Sequence, residues 1–146
     1  MLSRLFAALR GLIYASLFVW LWWWVITLAR PLDRRIPVRI PAVAQPLGLA
    51  LATFGGVLAL TCVISFAAVG VGTPAPFDAP RRFVATGPYR WVRNPMYLGA
   101  LLVITGVGLY LQSASALLVG VFFVLLAHLF VLVYEEPTLE SAFGRM

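Results

Sequence analysis

The residues best suited to chemistry lie in two short polar clusters of an otherwise apolar chain. The first, residues 86–99, reads TGPYRWVRNPMYLG and contains two arginines, three aromatic residues, an asparagine and two prolines. The second, residues 135–144, reads EEPTLESAFG and begins with two adjacent carboxylates. Arginines and a helix N-terminus can hold an anion, carboxylates can pair with cations, and tyrosine rings can pack on a ligand ring or a cation. We therefore treat these clusters as the candidate functional site.

Asn94-Pro95 predicts the start of a helix. Asparagine is a strong N-cap residue and proline suits the first helical position, so the positive end of the helix dipole should point at the preceding loop. Tyr97 follows within one turn. An interfacial belt of aromatic rings and arginines accounts for Trp91 and for Arg81-Arg82. It accounts poorly for residues 86–99 as a whole, which favours a functional role.

Glu135 and Glu136 stand at the C-terminal end of a predicted apolar helix, where the dipole disfavours carboxylates. Pro137 should end that helix and can begin a short second helix that stops at Gly144. Neighbouring helical residues point about 100° apart, so one glutamate can face a pocket while the other caps the second helix. A solvated helix end is the simpler interpretation, but membrane helix ends on the cytoplasmic side usually carry arginine or lysine. We therefore favour a functional pair.

His128 lies inside a predicted membrane span, seven residues before Glu135 and thus on roughly the same helix face. An ionisable residue within a span is a functional candidate, and a hydrogen bond between helices is an equally good explanation. His128 and Glu136 are the candidates for a base if the reaction requires one.

The composition indicates an integral membrane protein. Hydrophobic residues make up 62% of the 146 residues and charged residues 11%, against about a quarter charged in soluble domains. All eleven basic residues are arginine, and they lie between apolar stretches, a pattern typical of membrane topology and headgroup contact rather than of nucleic-acid binding. Cys62 is the only cysteine, which excludes an internal disulfide and a CxxC metal site. We predict no metal site, and no catalytic triad or phosphate-binding loop is present.

Four apolar stretches predict an all-α membrane fold of about four spans in one domain. They cover residues 11–29, 47–71, 95–111 and 114–134. Only Gln112-Ser113 separates the last two, which predicts a tight C-terminal hairpin, followed by a short amphipathic tail. Four prolines in residues 30–46 exclude a long helix there. We divide the domain into two N-terminal spans (1–70) and a region holding the loop, the hairpin and the acidic motif (71–146).

Arginine placement predicts the orientation. With the N-terminus inside, the cytoplasmic side would hold seven arginines and the opposite side four. This arrangement places both polar clusters on the cytoplasmic side.

The paired motifs resemble the isoprenylcysteine carboxyl methyltransferase-like group of membrane enzymes, which includes phospholipid methyltransferases. The group's first motif is roughly G-x-Y-x-x-x-R-H/N-P-x-Y-x-G, and residues 87–99 read GPYRWVRNPMYLG. Its second motif is roughly E-E-x-x-L-x-x-x-F-G, and residues 135–144 read EEPTLESAFG. The resemblance covers residues 71–146. The first two spans resemble the group only in being apolar.

The resemblance implies S-adenosylmethionine as cofactor and a small lipophilic or amphipathic methyl acceptor that arrives from the bilayer. It implies that Arg93, Glu136 and His128 are candidate catalytic residues, with residues 81–84 beside the pocket. The implied cofactor-binding residues are Tyr89, Asn94, Pro95, Met96, Tyr97, Glu135 and Glu136. Membrane lipids are the other expected partner, and nucleic acid is not expected. Neither the chemical class of the acceptor (carboxylate, thiol or amine) nor the oligomeric state follows from the sequence.

The sequence departs from the group's pattern in two places, so other functions than methyl transfer stay open. Enzymes that methylate prenylcysteine carry an arginine shortly before the glutamate pair, whereas residues 131–134 read VLVY. Relatives usually continue past F-G into a tail with tyrosine and arginine, and the printed sequence ends at Met146. The alternatives are a non-catalytic small membrane protein or partner subunit derived from this group, and a protein that binds anionic lipids through its arginines.

Overall fold

The computed structural model describes residues 2–70, 87–92, 94–135 and 137, and no side chain is described for residues 3, 4, 69, 70 and 135. Its four α-helices are α1 (Leu2–Ala29), α2 (Gln45–Ser65), α3 (Pro95–Tyr110) and α4 (Ala114–Phe130). π-Helical turns at Phe66–Gly70 and Val131–Glu135 follow α2 and α4, and short 3-10 helices cover Arg30–Arg34, Ala42–Ala44 and Gly87–Arg90. The predicted all-α fold with about four helices and a hairpin is confirmed. The predicted amphipathic tail lies outside the described residues.

Three helices of the described part are long and apolar enough to cross a bilayer: Leu5–Arg34, Ala42–Ala68 and Ala114–Tyr134. α3 has 16 residues, or about 24 Å at 1.5 Å per residue, against a hydrocarbon core of about 30 Å. α1 begins at Leu2, before the apolar stretch that starts at Gly11, and the leucine, alanine and arginine residues in between are good helix formers. Many large apolar side chains on the helix surfaces are exposed, as expected where lipid covers them.

The proline-rich linker between α1 and α2 contains no long helix, as predicted. Residues 36–41 are without regular structure between the two short 3-10 helices. Pro46 falls in the first turn of α2, where its missing N–H is not needed for a helical hydrogen bond. The linker therefore reverses the chain and returns it as α2.

Glycines set the contact between α2 and α3, the most extensive one in the bundle. A Cβ atom on Gly48 would lie 2.6 Å from the carbonyl oxygen of Gly106, and one on Gly55 would lie 2.6 Å from that of Gly99. Only glycine allows the two backbones to approach so closely. In contrast to Gly55, a Cβ on the neighbouring Gly56 would meet nothing within 4 Å.

Aromatic side chains set the contact of α1 and α3 with α4. The ring of Phe123, which is 4% exposed, stands edge-to-face with Trp22 at 4.9 Å, with Phe18 at 6.0 Å and with Tyr97 at 6.5 Å between centroids. We call these four residues the aromatic cluster. They pack around the buried core, whose members are Ile26, Ala100, Ile104, Ala116, Val119 and Phe123.

Side-chain hydrogen bonds close the end of the bundle where α3 turns into α4. One carboxylate oxygen of Asp33 accepts from the Ser113 hydroxyl at 2.6 Å, and the other accepts from the Ser115 N–H at 2.7 Å. The Ser113 hydroxyl also accepts from the Ala116 N–H at 3.1 Å. Two of the N–H groups that a helix start leaves without partners are thus satisfied, and the 3-10 helix that follows α1 is tied to the start of α4.

Two glutamine amides fasten the linker to the same end. Gln45 Nε2 donates to the Tyr110 carbonyl at 3.1 Å, and Gln112 Nε2 donates to the Ile40 carbonyl at 3.0 Å. Gln112 has a positive φ of 53°, a conformation that turns tolerate. We call this region the capped end, formed by Asp33, Gln45, Gln112, Ser113 and Ser115. The opposite end, where α3 begins and α4 finishes, is the site end.

Candidate functional site

The site end contains the predicted start of α3. The helix begins at Pro95, as predicted, with Asn94 at the N-cap position. The Asn94 side chain makes no capping hydrogen bond, so its amide does not satisfy the first-turn N–H groups. Pro95 is almost fully buried. Proline sets the backbone conformation at the first helical position. The N–H groups of the first turn form the positive dipole end of α3 at this surface.

An open groove of about 260 Å³ lies between α3 and α4 at the site end. Its polar lining comes from Asn94, Tyr97 and His128. The remaining lining is apolar: Leu98, Leu101, Phe123, Val124, Ala127 and Val131. Positions 97, 98 and 101 of α3 line the groove together with its N-cap residue at 94, and positions 124, 127 and 128 of α4 line it together with residue 131 of the following π turn. Each set follows the i, i+3, i+4, i+7 spacing of one helix face, so the two facing stripes form the walls.

His128 lies within α4, where its exposed side chain borders the groove together with Tyr97 and Asn94. The structure thus brings three predicted site residues into one depression. The described backbone between His128 and Glu135 is not uniformly α-helical, because Val131–Glu135 forms a π-helical turn. A π turn takes more residues than an α turn, so the α-helical spacing that put His128 and Glu135 on one face does not hold. π turns are frequent at functional sites.

Tyr89 is not among the residues that line the groove. Its ring lies 5.0 Å from that of Phe66, and its side chain is the hydrogen-bond partner of the Cys62 thiol. Cys62 is fully buried in α2. Tyr89 therefore packs against α2 and fixes the segment before α3, a role that its place in the motif did not reveal. Met96 is half-buried and does not line the groove.

Several predicted site residues lie outside the described residues, namely Arg93, Glu136 and residues 81–84. Only the backbone of Glu135 is described, at the end of the π turn that follows α4. The described walls enclose less than the roughly 300–1,000 Å³ of ordinary ligand pockets. Within the described residues, no group of three or more acidic, histidine or cysteine side chains is placed to hold a metal ion.

Sequence reasoning missed the apolar walls and Phe123. The spacing of Leu98 and Leu101 behind Asn94, and of Val124 and Val131 around His128, is a helical signal that could have identified both stripes. No pattern in the sequence marked Phe123, because a phenylalanine in an apolar run has no distinguishing neighbour. Gly106 and Gly108 have packing roles, since Gly106 faces α2 and Gly108 faces Leu117 of α4.

The fold and the groove define a multi-pass helical membrane protein with polar side chains gathered where two helices separate at one end of the bundle. The family model described as phospholipid methyltransferase matches residues 43–146. The chain therefore belongs to the phospholipid methyltransferase family of membrane methyltransferases, as the two motifs indicated. The match includes α2 and so extends beyond the region in which the resemblance was recognised. No curated protein and no solved structure matches the chain.

Proposed function

We propose that this protein transfers a methyl group from S-adenosylmethionine to a small lipophilic or amphipathic acceptor. The observation that carries the proposal is the groove, where Asn94 and Tyr97 of the first motif lie beside His128 of the helix that leads into the second motif. Two segments distant in sequence thus meet at one place. The family match spans both motifs.

The donor set at the site end suits this cofactor, which carries a carboxylate, an ammonium, a sulfonium and an adenine ring. The Asn94 amide is not used as a helix cap and can donate and accept hydrogen bonds. The positive end of α3 favours a carboxylate, and the Tyr97 ring can pack on adenine or on the sulfonium. Glu135, which ends the turn after α4, would pair with a cation. The bound cofactor would supply the electrophilic methyl group.

The apolar walls indicate the kind of acceptor. Leu98, Leu101, Val124 and Val131 line the groove beside its polar residues, and α4 exposes large apolar side chains next to it. An acceptor with an apolar part can bury that part here while its reacting atom lies near the polar groups. Methyl transfer then needs alignment and exclusion of water more than acid–base help if the acceptor is already an anion.

His128 becomes the base if the acceptor is a thiol or an amine, because such a group must lose a proton. We propose that the site faces the cytoplasm, since the larger number of arginines falls on that side. The second candidate function is a non-catalytic member of the family, which the small volume of the described groove favours.

Equilibrium binding of S-adenosylmethionine to the full chain in nanodiscs tests the proposal. We expect saturable binding by the wild type, and loss of binding in Tyr97→Ala and Glu135→Gln. Tyr110→Ala is the matched control, because Tyr110 ends the same helix at the capped end and should leave binding unchanged. A well-folded wild type that does not bind would overturn the enzyme proposal and favour the non-catalytic function.

The variant His128→Asn tests the chemical class of the methyl acceptor. In assays of lipophilic carboxylates, thiols and amines, we expect this variant to lose turnover with thiols and amines by about 10²- to 10⁴-fold and to retain it with carboxylates. Equal loss with all three would contradict a role as base and assign His128 to binding.

A further inference from the structure

We infer that Trp22 of α1 is a positioning residue for the groove, acting on Tyr97 through Phe123. The inference rests on the proposed function and extends it to a helix outside the family match, which begins at residue 43. If Trp22 has this role, α1 contributes to the site in addition to crossing the membrane.

The contacts form a continuous path from α1 to the groove. Trp22 meets Phe123 edge-to-face, with ring centroids 4.9 Å apart and an interplanar angle of 89°. Phe123 lines the groove, and its ring meets Tyr97 at 6.5 Å and 76°. Edge-to-face pairs fix the relative orientation of both rings. Without the Trp22 ring, the Phe123 ring would be less restricted. Tyr97, which packs against Phe123, would then be less well positioned.

Phe18 holds the same ring from one turn earlier on α1. Its centroid lies 6.0 Å from that of Phe123 and 6.0 Å from that of Trp22. Phe123 thus contacts two rings of α1 and the Tyr97 ring of α3, and it is 4% exposed. Such packing restricts the orientation of the Phe123 ring. A side chain that lines a ligand-binding groove must be held in place in this way.

The indole N–H of Trp22 is an independent sign that this position is not optimised for stability. Among the described residues it is buried without a hydrogen-bond partner. A buried donor without a partner is destabilising, whereas phenylalanine would supply a smaller aromatic ring with no such donor. Residues that break a stability rule in this way are expected at functional sites. The breadth of the indole ring, rather than its N–H, is what the contact with Phe123 uses.

The neighbouring tryptophans provide the contrast. Trp20 and Trp24 stack on each other with centroids 6.4 Å apart, and Trp20, Trp23 and Trp24 are at least half exposed. These three point toward lipid, where tryptophan is common near membrane interfaces. One of four clustered tryptophans turns inward, and it is the one that contacts a groove residue.

Binding of S-adenosylmethionine to nanodisc-held variants tests the inference. We expect Trp22→Leu to weaken binding about three- to tenfold, the value of one aromatic pair, and Trp22→Phe to recover at least half of that loss. Trp23→Leu should leave binding unchanged. Ile26→Ala is the control for destabilisation, because Ile26 is 3% exposed in the same core one turn further along α1 and should lower the unfolding temperature without changing the dissociation constant.

The outcomes separate the inference from the proposed function. If the wild type binds and Trp22→Leu binds within twofold of it, the inference is wrong and the proposed function stands. If Ile26→Ala weakens binding as much as Trp22→Leu does, the effect is general loss of packing and the inference is again wrong. If the wild type does not bind, both fall together.

Discussion

Ser113 and Asn94 both precede an apolar helix of the same hairpin, yet only Ser113 caps its helix. The Ser113 hydroxyl accepts from the Ala116 N–H and donates to Asp33, whereas the Asn94 side chain makes no capping bond. The capped end thus uses its polar side chains for structure. The site end leaves Asn94 beside a groove with Tyr97 and His128. Under the proposed function, the Asn94 side chain, which makes no capping bond, would instead contact the ligand.

The same contrast appears in how the helices meet. α2 and α3 approach backbone to backbone through glycines, while α3 and α4 separate at the site end and the gap is bordered by side chains. A glycine contact has little freedom to move. We infer that α2 fixes α3, and that adjustments for a ligand occur on the α4 side.

The largest effect on folding is expected at the glycine contact between α2 and α3, on which both ends of the bundle depend. Gly106→Leu should abolish folding, because a Cβ there would lie 2.5 Å from the Gly48 carbonyl oxygen, closer than any side chain can approach. Gly56→Leu is the matched control, since a Cβ there would meet nothing within 4 Å, and it should fold normally. Detergent-solubilised yield and size-exclusion profile measure the difference. A monodisperse Gly106→Leu protein would show that the α2–α3 contact is not required.

The second-largest effect is expected on substitution of Asp33, the carboxylate at the capped end. Asp33→Ala should lower the free energy of unfolding by about 2–3 kcal/mol, because two hydrogen bonds to a charged acceptor are lost. Asp33→Asn keeps one acceptor oxygen and should lose about half as much. Thermal unfolding in detergent measures both. The comparison fails if Asp33→Ala unfolds like the wild type and loses cofactor binding instead.

The smallest effect is expected at the linker. Gln112→Ala and Gln45→Ala should each lower the free energy of unfolding by about 0.5–1 kcal/mol, the net value of one ordinary hydrogen bond. Neither should change cofactor binding, because both lie at the capped end. Melting curves and binding isotherms on the same samples would show this. A binding defect in either variant would mean that the two ends are coupled.

The fold could be predicted because hydropathy and helix-boundary residues act locally. The apolar stretches, Pro95 as the first residue of α3 and the Gln112-Ser113 turn all follow from short-range rules. The role of Asp33 could not be predicted, because its partners Ser113 and Ser115 lie about 80 positions away in sequence. Nothing near Asp33 distinguishes a cap for another helix from a headgroup contact.

The site was predicted in part for the same reason. Asn94, Tyr97 and His128 stood out as polar residues in apolar surroundings, and the structure brings them together. Tyr89 matched the motif equally well but packs on Phe66, since a motif does not reveal which way each side chain faces. Trp22 and Phe123 were hidden because their contact joins two helices distant in sequence. The catalytic and cofactor-binding roles proposed for all the candidate site residues, Asn94, Tyr97 and His128 included, stay predictions.

The most direct test measures stability and S-adenosylmethionine binding together for Asn94→Ala and Ser113→Ala. We predict opposite results. Asn94→Ala should weaken binding about tenfold, through one hydrogen bond to a charged group, at an unchanged unfolding temperature. Ser113→Ala should lower the free energy of unfolding by about 1 kcal/mol at unchanged affinity. If Asn94→Ala destabilises the protein as Ser113→Ala does and binds the cofactor normally, both residues are structural caps and the distinction between the two ends is wrong.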